Sequence, residues 1–186
     1  LKPATVNRKL AAIKALVKYA KRIGKSCYDL TDIQSDKVIT YRDTTGLPAQ
    51  QIKQILQSPN TSHFQGKRDY AILRLLWDNA LRRSEVVAID IGDISLRERT
   101  IWIKGKGRQD KARITINHRT VAALKDYLLV IKGSKNDPLF ISLSSANRGN
   151  RLADDTVYNL VKRTCSELGI EKPMSPHKIR HSAITH

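Results

Sequence analysis

The chain has 186 residues and a mass of 21.0 kDa, enough for one domain with a sizeable buried core. Hydrophobic residues make up 40% and charged residues 27% of the sequence, a balance that argues against disorder. Lys and Arg number 34 against 17 Asp and Glu, and this formal net charge of +17 favours a polyanionic partner, nucleic acid first, over a highly soluble protein without one.

Apolar runs and cysteines narrow the class further. The apolar stretches are too short to span a bilayer, and the first segment is studded with Lys and Arg and lacks the apolar core of a signal peptide. Cys27 and Cys165 lie far apart and outside any CxxC pattern, which argues against a disulfide framework or a cysteine-based zinc site. We therefore expect a protein of the reducing cytoplasm without membrane attachment.

Residues 4–23 predict one amphipathic helix. Apolar side chains recur along it at helical spacing, and Gly24 follows where glycine often ends a helix. Residues 1–26 include eight Lys or Arg and no acidic residue. Because a single amphipathic helix needs a surface to pack on, we interpret it as the last helix of a domain that starts before this chain. Residues 26–45 have the mixed polarity and weak periodicity of a connector.

The next segment predicts three helices. Leu47-Pro48 is typical of a helix start, and the composition of residues 57–66 is that of a loop. A longer helix is predicted from about Arg68, and Ser84 or a neighbour is expected to cap a further short helix. The expected core residues of the first two helices are Ile52, Ile55, Leu56, Tyr70, Leu73, Leu76 and Trp77.

The period of the sequence then changes from helix to strand. Residues 89–94, 100–103 and 113–116 are short β-type runs separated by turns, and a basic hairpin tip over residues 104–112 joins the last two. The expected fold class is therefore mainly α with a small antiparallel β-sheet (α+β).

Helical patterns return in the last third of the chain. Residues 121–131 and 153–168 predict helices, and a brief extended piece lies between them at residues 139–142. Ser175 and Pro176 are typical of the N-cap and first position of a final helix.

The start of this last helix is the first candidate site. His177 and Arg180 are three residues apart and share one helix face, where free backbone N–H groups and the helix dipole favour an anion such as phosphate. The alternative is a solvated basic helix start. Zinc held by His177, His181 and His186 is disfavoured, because no Glu or Asp lies nearby and the HExxH pattern is absent.

Arg82 is the second candidate, because it lies where one helix stops and another begins. Glu85, three residues later, could hold Arg82 or a neighbour in position. The alternative is a common surface ion pair of little energetic value.

The third candidate is Lys106, flanked by Gly105 and Gly107 in the hairpin tip. Two glycines allow a tight turn that pushes the lysine outwards, although a solvated Lys-rich hairpin is the alternative. The GxxxxGK[ST] loop is missing, which disfavours nucleotide hydrolysis.

In chain order, Arg82 with Glu85, then Lys106, then His177 and Arg180, the three motifs resemble the boxes of the tyrosine recombinase (phage integrase, Xer-like) family. Residues 80–85 are similar to its ALR-x-S-E box, residues 105–107 to its GKG hairpin and residues 177–181 to its H-x-x-R-H box. Ala80 stands where the family usually has Gly. The resemblance implies a fold like that family's catalytic domain.

The resemblance also suggests domain boundaries. Residues 5–12 are similar to the last helix of the family's core-binding domain, and residues 41–47 to the entry into its catalytic domain. It thus implies a helix of a core-binding (SAM-like) DNA-binding domain at residues 1–25, a linker at 26–45 and a catalytic domain, incomplete at its C-terminus, at 46–186.

The activity implied by the resemblance is site-specific cutting and rejoining of duplex DNA through a covalent phosphotyrosine, with no metal or nucleotide cofactor. Arg82 and Arg180 would clamp the charge that builds on the phosphate oxygens, and Lys106 would protonate the leaving 5′-oxygen. His177 would serve acid–base work or hydrogen-bond the phosphate. Glu85 would order the arginines rather than react.

Further cations are expected to hold the DNA backbone. The family expectation is a homo-tetramer on duplex DNA, associated with the nucleoid. Because the hairpin is slightly longer than the family's GKGxKxR form, Lys104 or Lys111 is an open alternative to Lys106. The expected DNA-binding residues are Arg8, Lys9, Lys14, Lys104, Arg108, Lys111 and Lys178.

Part of the family's machinery is missing from the sequence. In the family a third box, His or Trp, and then the nucleophilic Tyr follow the H-x-x-R box, whereas this chain stops at His186 and its six tyrosines precede that box. We therefore expect a fragment that binds DNA without cleaving it. The alternative function is a non-catalytic recombinase-like regulator or architectural factor. RNA binding is disfavoured, because aromatic residues make up only 5% of the chain.

Overall fold

The computed structural model describes residues 3–37, 46–105, 107, 110–172 and 174–185. The chain divides into two compact units, Leu1–Asp43 and Thr44–His186. Among the described residues, no helix is both long enough and apolar enough to cross a membrane.

In the smaller unit, helix α1 spans Pro3–Arg22 and confirms the predicted helix. Gly24 follows it with a φ of +70°, the left-handed conformation that glycine adopts most readily at a helix end. No residue of α1 is buried, and several apolar side chains are exposed on it: Val6, Ile13, Leu16 and Tyr19.

The described part of the connector returns along α1. The Asn7 side chain exchanges two hydrogen bonds with the backbone of Asp36, and the Lys14 ammonium donates to the Ile33 carbonyl. A hydrogen bond from Thr31, aided by the Lys21 ammonium at 2.9 Å, lowers the pKa of the Asp29 carboxyl. These contacts are polar and exposed.

The larger unit is mainly helical with one small sheet, as predicted. Its helices are α2 (Ala49–Gln57), α3 (Phe64–Asp78), α4 (Arg83–Val87), α5 (His118–Leu128), α6 (Asp154–Glu167) and α7 (Pro176–Thr185). Strands β1 (Ile94–Ser95), β2 (Thr100–Lys104) and β3 (Lys111–Thr115) form an antiparallel sheet in that order, with Ile101 opposite both Ile94 and Ile114.

Helix α3 is the centre of the core, in contact with α2, α4, α5, α6 and α7. Its Leu73 and Leu76 are fully buried, and Ile52, Ile55 and Leu56 of α2 are buried as predicted. Predicted core residues Tyr70 and Trp77 are half-buried at its edge.

An aromatic stack closes the core between α3 and α5. The Tyr127 ring lies 5.6 Å from Phe64, edge to face, and 5.5 Å from Phe140, nearly parallel. Burial raises the pKa of Tyr127 to about 12. Tyr127 is therefore a packing residue.

Helix α3 also buries charge that its amphipathic pattern does not reveal. Arg68 pairs with Asp69 at 2.8 Å, and Arg74 pairs with Asp78 at 2.6 Å. The Thr120 hydroxyl donates to the same Asp78 carboxylate at 2.6 Å. Each carboxylate is thus compensated, which is the condition for burying a charge at tolerable cost.

The predicted start of α3 at Arg68 is wrong, because the helix begins at Phe64. Gly66, which the sequence places in the loop, is a helical residue pressed against the preceding turn. A Cβ on Gly66 would lie 1.8 Å from the Asn60 carbonyl oxygen, so this glycine serves a close backbone approach.

The predicted first β-run, residues 89–94, is also mostly wrong. Residues Ile91–Asp93 form a 3₁₀ turn, and only Ile94–Ser95 is a strand. The backbone N–H groups of Ile91 and Gly92 donate to carbonyls of Asp137 and Lys135 instead of a sheet neighbour. An isolated antiparallel bridge between Asp90 and Pro138 therefore takes the place of the longer strand predicted here.

Candidate active site

The turn between α3 and α4 presents Arg82. Asp78, at the end of α3, is tied to Arg74 and Thr120, and the Asn79 amide donates to the Thr115 carbonyl of β3 at 2.9 Å. Arg82 then has an extended backbone, with φ −74° and ψ 150°, and α4 starts at the next residue. The start of the turn is thus held by Thr115 at the end of β3 and by Thr120 of α5.

The turn requires Ala80 to adopt a strained backbone conformation. Its φ is +48°, a left-handed conformation that disfavours a side chain with a Cβ by roughly 1–2 kcal/mol. This is the position at which the resembling family usually has Gly, and the backbone conformation gives the physical reason for that preference.

The cap of α4, predicted at Ser84 or a neighbour, is not at Ser84. Ser84 lies inside the helix and is exposed, while Arg82 occupies the N-cap position. The Glu85 carboxylate accepts a hydrogen bond from the Arg82 backbone N–H at 2.8 Å, which satisfies a donor at the helix start.

Glu85 brings the two predicted arginines together. Its side chain is only 7% exposed; Oε1 accepts from Arg82 Nη1 at 2.6 Å, and Oε2 lies 3.6 Å from Arg180 Nη1. Arg82 comes from the α3–α4 turn and Arg180 from α7. One buried carboxylate between two guanidiniums leaves a net positive charge, which is the electrostatic requirement of an anion site.

The two arginines border a cleft of about 630 Å³. Its apolar wall comes from the root of the β2–β3 hairpin, including Ile103, Ala112 and Ile114, and Gly105 lies at its edge. The hairpin root thus faces Arg82 and Arg180. Lys106 and Arg108 themselves lie outside the described residues.

Arg83, the neighbour of Arg82, has a different environment. Its guanidinium binds Asp154 at 3.1 Å and Asp155 at 3.2 Å at the start of α6. The turn at residue 82 therefore separates two adjacent arginines, one at the cleft and one in an interhelical ion pair.

Helix α7 begins as predicted, with Pro176 first and the Ser175 hydroxyl accepting from the Lys178 N–H at 3.3 Å. His177 is exposed one turn before Arg180. The described residues that line the cleft include Arg180 and Ile184 but not His177. His186, part of the zinc alternative, lies outside the described residues.

Lys111 is engaged in an acidic cluster at the foot of β3. Its Nζ lies 2.5 Å from Asp93 and 3.3 Å from Asp90, and Arg151 also binds Asp90 at 2.6 Å. The hydrogen bond to Asp93 raises the pKa of Lys111. Sequence reasoning missed this cluster, because each cation is 18 or more positions from the carboxylate that it binds and no local pattern links them.

The other predicted DNA-binding residues are distributed over both units. Arg8 and Lys9 are exposed on α1, and Lys104 is exposed at the end of β2. Lys178 is half-buried on the first turn of α7.

Residues 46–186 match the family model of the phage integrase family. The whole chain is 50% identical to tyrosine recombinase slr0733 from Synechocystis sp. and 45% identical over 188 aligned positions to tyrosine recombinase Synpcc7942_B2651 from Synechococcus elongatus. It spans 59% and 58% of the length of those two proteins.

Solved structures share the fold. All of the chain aligns with 56% of XerH site-specific recombinase bound to palindromic difH substrate in a post-cleavage complex, with a TM-score of 0.76 and 23% identity. It also aligns over 99% of its length with 66% of a chain in a lambda integrase dimer bound to a COC′ core site, with a TM-score of 0.75 and 15% identity. The expected fold is thereby confirmed.

Proposed function

The chain belongs to the phage integrase family of tyrosine recombinases, and on that premise we propose that it forms most of the catalytic domain of an enzyme that cuts and rejoins duplex DNA at specific sites. The observation that carries this proposal is the Arg82–Glu85–Arg180 arrangement at the mouth of the cleft. Motifs 98 positions apart in the chain meet there, and a surplus positive charge remains.

The arginines would stabilise the transition state of phosphoryl transfer. Attack on a phosphodiester builds negative charge on the two non-bridging oxygens, and preorganised guanidinium donors match that charge and its geometry. Arg82 is 49% exposed and shares one Nη with Glu85, so most of its five N–H donors remain for a phosphate. Glu85 would hold the Arg82 guanidinium in place.

Proton transfer would be carried out by residues of the β2–β3 hairpin and of α7. We assign protonation of the leaving 5′-oxygen to Lys106, and an acid–base or hydrogen-bonding role to His177. Lys111 is the weaker alternative to Lys106: its ammonium is bound by Asp93 and its pKa is raised, which makes it a poorer proton donor.

The nucleophile would be a tyrosine supplied by a segment outside these 186 residues. Tyr127 is buried, and its raised pKa disfavours the phenolate. Tyr70 is half-buried and Tyr158 is exposed, and neither lines the described cleft. Tyr19 and Tyr28 are exposed residues of the smaller unit, and Tyr41 lies outside the described residues. The chain as given would then bind DNA without forming a covalent adduct.

Affinity would come from cations outside the pocket, acting on the DNA backbone without reading sequence. Candidates are Arg8, Lys9, Lys14, Lys104, Arg108 and Lys178, and Lys111 is the weakest candidate because Asp93 and Asp90 already bind its ammonium. The similar structures named above are recombinases on DNA, one of them a dimer, which supports duplex DNA as the partner and an assembly on it; a homo-tetramer bound at the nucleoid is our proposal for the whole protein.

The test is a nicked suicide substrate incubated with the full-length protein that contains this chain. We expect a covalent protein–DNA adduct that Arg82→Ala and Arg180→Ala each reduce by at least about 100-fold, because each removes a transition-state donor. Arg83→Ala is the matched control and should retain the adduct. Adduct formation that survives both cleft substitutions would overturn the clamp, and DNA binding with no adduct would favour the non-catalytic alternative.

A further inference from the structure

A buried serine fastens the helix of Arg180 to the first described segment of the larger unit. Ser182 is 1% exposed. Its hydroxyl accepts from the Leu47 backbone N–H at 3.1 Å and donates to the Lys178 carbonyl at 3.0 Å. Arg180 lies in the helical turn between Lys178 and Ser182, so one hydroxyl braces that turn internally and ties it to a segment 135 positions away.

Gly46 brings the two segments into contact. A Cβ at this position would lie 2.9 Å from the Ser182 Oγ, 3.2 Å from its Cβ and 3.3 Å from its Cα. A side chain here would therefore push against α7 itself, including its backbone. Leu47, the next residue, is 1% exposed, so the segment is seated in the core and cannot easily yield.

We propose that Ser182, with Gly46 as its close neighbour, is a positioning residue that sets the place of Arg180 relative to Glu85 and the cleft. Arg180 Nη1 is 3.6 Å from Glu85 Oε2, a spacing that a shift of α7 by a few tenths of an ångström would change. Misplacement of a catalytic group by about 1 Å can cost about 100-fold in rate. This inference rests on the proposed function of Arg180.

The chain provides a matched control on the same helix. Thr185 also donates its hydroxyl to backbone carbonyls of α7, that of His181 four residues earlier at 3.1 Å and that of Ser182 at 3.2 Å, but its side chain is exposed. Thr185→Ala removes the same kind of helical bond as Ser182→Ala and leaves the bond to Leu47 intact.

The test observes the Arg180 side chain directly in the 186-residue chain. The guanidinium N–H resonance of Arg180, assigned by its loss in Arg180→Lys, is compared without ligand and during titration with inorganic phosphate. We expect Ser182→Ala to shift this resonance, speed amide exchange at Leu47 and weaken phosphate binding by about 2- to 10-fold, the value of one net hydrogen bond. Thr185→Ala should leave all three readouts unchanged.

Gly46→Ala is the second variant, because it keeps the serine and displaces α7 by contact. It should shift the Arg180 resonance even if Ser182→Ala fails to fold. An unshifted resonance in the folded variants, together with faster exchange at Leu47, would overturn the positioning role. Failure of the unmodified chain to bind phosphate at Arg180 would instead contradict the proposed clamp, while the ligand-free resonance still decides the role of Ser182.

Discussion

Glu85 Oε1 lies 2.6 Å from Arg82 Nη1, and the carboxylate that makes this bond is almost completely buried. The same carboxylate accepts from the Arg82 backbone and approaches Arg180. Two of its three interactions are with Arg82, through the backbone N–H and the guanidinium, and the third is with Arg180 of α7. Glu85 thus both satisfies a backbone donor at the start of α4 and supplies the counter-charge of the two arginines.

Glu85→Gln should destabilise the chain by about 1–3 kcal/mol, because it leaves the partly buried guanidiniums without their counter-charge. Urea unfolding measures this free energy. Glu167→Gln is the control. Its Oε1 lies 3.7 Å from Arg163 Nε, a long ion pair between two exposed side chains, so the substitution should change the free energy of unfolding by less than about 0.5 kcal/mol. Equal effects of the two substitutions would contradict the role assigned to Glu85.

Ala80→Gly should stabilise the chain by up to about 1 kcal/mol, because relief of the left-handed strain exceeds the backbone entropy that glycine loses on folding. Thermal unfolding measures the difference. Ala88→Gly tests the opposite case, because Ala88 has a φ of −81° and the substitution there should destabilise. A loss of stability in Ala80→Gly would show that the Ala80 methyl group packs favourably.

The Lys111→Met substitution should lower the free energy of unfolding by an amount that depends on pH. The pKa of Lys111 is raised from its ordinary value of 10.5, so its contribution is complete below pH 10.5 and disappears as pH rises through the folded-state value. The pKa of Asp90 is lowered from 3.8, because hydrogen bonds from Arg151 and then Lys111 outweigh the desolvation that would raise it. That part of the contribution is present above pH 3.8 and is lost as pH falls through the folded-state value.

Urea unfolding of the unmodified chain and Lys111→Met at pH 3, 7 and 11.5 measures this dependence. We expect a difference of about 1 kcal/mol at pH 7 that narrows at both extremes. A constant difference would mean that Lys111 stabilises the fold through packing of its aliphatic stem.

The salt dependence of DNA binding should differ between exposed cations and a cation held in ion pairs. Arg8→Ala, Lys9→Ala and Lys104→Ala should each weaken binding to duplex DNA of any sequence and reduce the slope of log K against log salt by up to about 0.9. Lys111→Met should change the slope less, because Asp93 and Asp90 already balance its charge. Fluorescence anisotropy across a salt series measures the slopes, and equal loss in Lys111→Met would place that lysine on the DNA.

Local chemistry made much of the fold predictable. The helical spacing of residues 4–23, the Ser175–Pro176 start of α7 and the short β-type runs of β2 and β3 each depend on neighbouring residues, and the structure confirms the helix, the helix start and the two strands. Predictions were wrong where contacts outside the local pattern matter. Gly66 lies in α3 against the Asn60 carbonyl, where a Cβ would not fit, and the N–H groups of Ile91 and Gly92 donate to the carbonyls of Asp137 and Lys135, more than 40 positions away.

The positive charge, the order of the motifs and the residue types in them follow from composition and spacing, which are properties of the sequence. Which carboxylate pairs with which cation follows from the folded chain. Arg82 meets Arg180 through Glu85, Arg83 is paired with α6, and Lys111 is paired with Asp93. Their partners are far apart in the chain, and packing alone brings such groups within the few ångströms over which charges and hydrogen bonds select a partner.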